Sequence, residues 1–65
     1  MSELKEHSKF VVKNYGRPLW ATHFAKLKDG SFEFIFQSNG MWWYDHYEYG
    51  IMKAHFVDMV EVDIE

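Results

Sequence analysis

The spacing of apolar and polar residues changes once along this chain. From Ser2 to Tyr15 the period is helical. At 100° per residue Leu4, Val11 and Tyr15 fall within about 40° of one another, flanked by His7 and Ser8, with Lys5, Lys9 and Lys13 opposite. Ser2 suits the cap, Glu3 and Glu6 the first turns, and Lys9 and Lys13 the last. Gly16 and Pro18 supply the stop, so a helix is predicted over 2–15. Phe10 and Val12 fit neither stripe, and Phe10-Val11-Val12 also reads as a short strand.

Beyond Leu19 the period drops towards two, and strands are predicted at 19–28, 31–37, 41–48, 50–52 and 56–64. Asp29-Gly30 between two β-type runs is a hairpin signal. As a two-residue turn it sets Leu27 opposite Phe32, Lys26 opposite Glu33 and Ala25 opposite Phe34, gathering Ala25, Leu27, Phe32, Phe34 and Phe36 on one face. Ser38-Asn39-Gly40 marks the next turn. A two-residue loop there pairs Phe36 with Trp43; a three-residue loop with a bulge at Gly40 pairs Phe36 with Trp42 and Phe34 with Tyr44, and is preferred because it buries more. The tail carries two patterns. Met52, Phe56 and Val60 recur every four residues, whereas Val60 to Glu65 alternates, so a helical turn near Lys53 to His55 before a last strand satisfies both. The expected fold is α+β, one N-terminal helix followed by a small, strongly bent antiparallel sheet of four to five strands, in a single domain 1–65.

Composition narrows what such a fold can do. At 65 residues the chain buries only about 60% of its unfolded surface, so its core depends on large side chains, and 20% of its residues are aromatic. With no cysteine, disulfides, thiol catalysis and thiolate metal sites are excluded. No run has the ~20 apolar residues of a membrane span, and no signal-peptide core follows Met1; a cytoplasmic chain, complete from Met1, is the expectation. The net charge of −3 hides an asymmetry: six basic and two acidic side chains up to Lys28, then one basic and eight acidic. That division can steer partners or fix assembly.

The second half resembles SH3 domains. Trp42-Trp43, followed by Gly50-Ile51-Met52-Lys53-Ala54-His55-Phe56-Val57, is similar to that family's Trp-Trp pair and its Gly-x-x-Pro-x-Asn-Tyr-Val segment. Gly50 and Val57 match and Phe56 stands for the Tyr. Lys53 and His55 replace the Pro and Asn, and the Ala-Leu-Tyr-Asp-Tyr signature is absent. Helix first and five strands after it is also similar to the element order of Sm-like proteins, the bacterial RNA-chaperone type included. The resemblance implies an SH3-like barrel and, if its peptide groove carries over, a groove lined by Trp42 and Phe56.

Chemical motifs are few. There is no phosphate loop, His-Glu-x-x-His helix, EF-hand loop or nucleophile elbow. His46 and Glu48 share a strand face but fall short of the three or four ligands zinc needs. Asp45 and His46 point to opposite faces, and His55 and Asp58 meet only on a helical turn. No enzyme activity, cofactor or metal is expected.

Binding is the function these residues suggest. Alternation puts Trp43, Asp45, Tyr47 and Tyr49 on one side of the third strand, an acidic and aromatic surface suited to another protein's basic patch. The expected contact residues are Trp42, Trp43, Asp45, Tyr47, Tyr49 and Phe56. They suggest a small inhibitor or modulator of a larger, nucleic-acid-binding enzyme, by analogy with viral proteins aimed at host machinery. The alternative is RNA or single-stranded nucleic acid held by Lys5, Lys9, Lys13 and Arg17 on the helix. Homo-oligomerisation through the basic helix and acidic tail is compatible with either.

Overall fold

A computed structural model describes residues 3–62. Helix α1 spans Glu3–Tyr15 and is followed by β1 (His23–Leu27), β2 (Phe32–Ser38), β3 (Met41–His46), β4 (Gly50–Lys53) and β5 (Phe56–Glu61). All neighbouring strands are antiparallel, in the order β4-β3-β2-β1-β5. This is the expected α+β arrangement. The cap assigned to Ser2 and the end of the last strand, at 63–64, lie outside the described residues.

One short connection makes the sheet bend. β4 and β5 are its opposite edges, yet only Ala54 and His55 separate them in sequence. A sheet whose edges are joined by two residues must roll. The Ala54 amide donates to the Trp42 carbonyl and the Lys28 amide to the His55 carbonyl, each at 2.8 Å, which holds that corner as extended chain. The helical turn expected near Lys53 to His55 is therefore absent; β4 runs through Lys53 and the link satisfies its backbone by bonding to β3 and the β1–β2 turn. β2 bends between two half-sheets, pairing with β1 through Phe32 to Ile35 and with β3 through Phe36 to Ser38.

The core has two layers. Inside the roll, Ala25, Leu27, Ile35, Tyr44 and Ala54 are buried, with Trp42, Phe56 and Met59 packed against them. On the outer face Leu4 of α1 meets Phe24 and Val62, with Val11, Val12, Phe34 and Val60 around them. The helix buries Leu4 and Ser8 and half-buries Val11 and Val12, while Tyr15, on the same stripe, is exposed. At Gly16 the amide closes the last turn onto Val12, and Pro18 to Ala21 forms a turn, so β1 begins at His23 rather than Leu19.

Both hairpin registers differ from expectation, in opposite senses. At the first turn the loop has three residues, Lys28-Asp29-Gly30: Leu27 pairs with Ser31 through a 2.8 Å bond, Lys26 faces Phe32 and Phe24 faces Phe34. Asp29 does not adopt the positive φ that a two-residue type I′ turn requires; its carboxylate accepts from the Ser31 amide and hydroxyl at 2.9 and 2.7 Å, and Gly30 alone takes φ +94°. The one-residue shift moves Phe32, Phe34 and Phe36 to the face opposite Ala25 and Leu27. At the second turn Asn39 and Gly40 both have positive φ, 54° and 75°, and close a two-residue loop that sets Phe36 opposite Trp43 and Gln37 opposite Trp42. The preferred bulge is absent: with Asn39 and Gly40 both in the left-handed region, the loop closes in two residues.

Candidate functional site

Two surface regions gather the candidate residues. The first is the end of the β3–β4 hairpin. β3 stops at His46 and residues 47–49 form a turn, so Tyr47 and Tyr49 reach the surface from a loop rather than by strand alternation. They are 94% and 70% exposed. His46 organises this turn: its Nδ1 accepts from the Glu48 and Tyr49 amides at 3.0 and 3.2 Å, a geometry that in the neutral ring leaves the proton on Nε2. Its imidazole stacks on both tyrosines, with centroids 4.7 Å from Tyr47 and 4.8 Å from Tyr49. His46 and Glu48, expected on one strand face, meet instead through the Glu48 amide, because the strand ends at His46. Among the described residues no group of three His, Cys, Asp or Glu could hold a metal ion.

Asp45 and Glu48 are exposed beside the tyrosines, and Ile51, opposite Asp45 on β4, is exposed as well. The acidic field extends further. Burial raises the Glu33 carboxyl above its ordinary 4.5; His46 pulls it down, and Asp29 and Asp45 push it up. Asp29, Asp45 and His46 therefore each lie within electrostatic reach of Glu33.

The other expected contact residues divide between the two faces of the sheet. Trp43 lies on the outer face opposite Phe36 and is half-buried, its Nε1 donating to the Ser38 carbonyl at 3.0 Å. Trp42 and Phe56 meet edge to face at 6.1 Å, but on the inner side, packed on the core, and Trp42 also meets His23 edge to face at 4.8 Å. They are structural partners first. Trp20, at 41% exposure, packs edge-on against Phe36 and extends the outer aromatic row; its position in a long first strand hid this role.

The second region is a groove of about 460 Å³ between α1, the segment after it and the end of β5. Lys5, Lys9, Lys13 and Arg17 all line it, together with Ser8, Val12, Leu19 and Glu61. The four basic residues read from the helix pattern thus share one concavity. Arg17 is anchored there by a 2.7 Å bond from Nη1 to the Ala21 carbonyl. Leu19 is 94% exposed. Nothing in the sequence pattern pointed to Leu19 or Glu61 as groove residues, because the turn that presents Leu19 read as strand.

Comparison with known proteins returns no match. No family model matches the chain, and no curated protein or solved structure aligns with it significantly. The site must be read from its own chemistry. No helix among the described residues is long and apolar enough to cross a membrane.

Proposed function

We propose that this chain is a small, non-catalytic protein-binding module that uses the β3–β4 tip, with Tyr47 and Tyr49 as anchors in an acidic surround. The observation that carries this reading is the pair of exposed tyrosines stacked on a histidine that is itself bonded to the turn backbone. Exposed rings ordinarily lose side-chain freedom on binding; rings already held against His46 lose less, which favours their use as anchors. Asp45, Glu48 and the nearby Glu33 and Asp29 complement a basic patch on the partner. Trp43 and Ile51 extend the contact area along the outer face.

Basic patches of that kind are common on nucleic-acid-binding enzymes, and occupying one from outside inhibits or modulates the enzyme. The module is thus read as a cytoplasmic inhibitor of the counter-host type that small viral proteins provide. The test is a pull-down from lysate, with and without nuclease, using the wild type and Tyr47→Ala and Tyr49→Ala variants. A stoichiometric protein that survives nuclease and is lost with either variant supports the reading. Each substitution is expected to weaken binding by about 2 kcal/mol while leaving the urea midpoint unchanged. Capture indifferent to both tyrosines would remove the tip from the interface.

A further inference from the structure

We propose that the groove beside α1 binds an extended acidic peptide segment of a partner protein, independently of the hairpin tip. Three observations converge on that ligand. The groove wall carries Lys5, Lys9 and Lys13 at four-residue intervals, and Arg17 continues the row beyond the helix end. Four helical residues advance by about 6 Å, so the lysines form a ladder of charges with that repeat. In an extended peptide, side chains on one face repeat every two residues, about 6.7 Å, so acidic groups at alternate positions run alongside the ladder in near register.

The apolar residues of the groove suit the other face of such a peptide. Val12 is half-buried in the groove, and Leu19 projects from the following turn with 94% of its surface exposed. Together they offer contact to the apolar residues that alternate with the acids. Among the described lining residues, Lys9, Lys13 and Arg17 stand against one carboxylate, Glu61, which makes this side of the groove positive in a chain whose net charge is −3. The sign of the ligand follows from that local excess.

Single-stranded nucleic acid is the competing polyanion, and the groove lacks what it needs. None of the eight lining residues is aromatic, so bases find no stacking platform. Phe10, Tyr15 and Trp20 are exposed but do not line the groove, and the stacked pair Tyr47 and Tyr49 lies at the acidic tip, where phosphates are repelled.

The experiment is fluorescence anisotropy with a labelled octapeptide of alternating Asp and Val, its Asn-Val counterpart, and octauridylate as competitor. The acidic peptide is expected to bind with an affinity that falls as salt rises, and the Asn-Val peptide at least tenfold more weakly. The double variant Lys9→Glu/Lys13→Glu should lose at least tenfold, and Leu19→Ser about threefold, whereas Lys28→Glu, outside the groove, and Tyr47→Ala, at the tip, should bind as wild type. Circular dichroism checks folding; should the charge reversal unfold the chain, Lys9→Gln/Lys13→Gln makes the same comparison. Equal binding of both peptides, indifference to the lysine variants, or displacement of the peptide by octauridylate at lower concentration would each overturn the proposal. Retained peptide binding with a failed pull-down would reject the tip and leave the groove standing.

Discussion

Glu33 shows how one carboxyl couples this fold to pH. Its burial raises its proton affinity in the folded state, and the nearby Asp29 and Asp45 add to this against the opposing His46. A raised acid contributes stability that is full below its unfolded value, near 4.5, and is lost as pH rises through the folded value. Urea midpoints of wild type and Glu33→Gln at pH 4 and pH 7 read this difference. The variant is expected to gain on the wild type between the two; identical pH dependence would mean that Glu33 is as solvated folded as unfolded. Asp29 has the opposite sign. The Ser31 amide, then its hydroxyl, hold its carboxyl below 3.8, so its contribution is present at neutral pH and lost as pH falls through the folded value. Asn39 is the conformational counterpart. It sits at φ 54°, so Asn39→Ala should cost about 1 kcal/mol by urea denaturation while Asn39→Gly costs little.

Among the elements, the helix depends on a small residue. Ser8 is buried at the centre of the α1 contact, between Leu4 below it and Val12 above, and its size lets the helix settle on β1 and β5. Ser8→Leu would force the helix outward at a cost of about 1–3 kcal/mol. Hydrogen exchange should then show faster exchange throughout α1 while the β2–β3 amides keep their protection; unchanged exchange in α1 would place Ser8 outside the tight contact. Helical periodicity identified Leu4, Val11 and the lysine row, because helix spacing is local. It missed Tyr15, which lies on the same stripe but protrudes into solvent. The two turns taught the converse lesson. Asp-Gly and Asn-Gly look alike as sequence, but the aspartate bonds to Ser31 and yields a three-residue loop, while the asparagine accepts positive φ and yields two. That one-residue difference decides which phenylalanines enter the roll and which face the helix.

For the whole molecule, stability rests on few fully enclosed side chains. Ile35, on the strand shared by both half-sheets, is the only large side chain among the described residues with less than 2% exposure. Ile35→Ala should cost about 2–5 kcal/mol, a large part of what a domain of this size has. Ile35→Val should cost about 1 kcal/mol and leave a measurable cooperative transition; an Ala variant that melts like the wild type would show a core able to collapse around the loss. The order of helix and strands, the two glycine turns near Gly30 and Gly40, the lack of thiol chemistry and the split of charge between the halves were legible in the sequence, since each rests on local period, residue type or count. The roll of the sheet, the two registers, the packing of half-buried Trp42 and Phe56 against the inner core and the gathering of four basic residues with Leu19 into one groove were decided by the tertiary structure. Each depends on contacts between residues far apart along the chain, where packing and closure outweigh local preference.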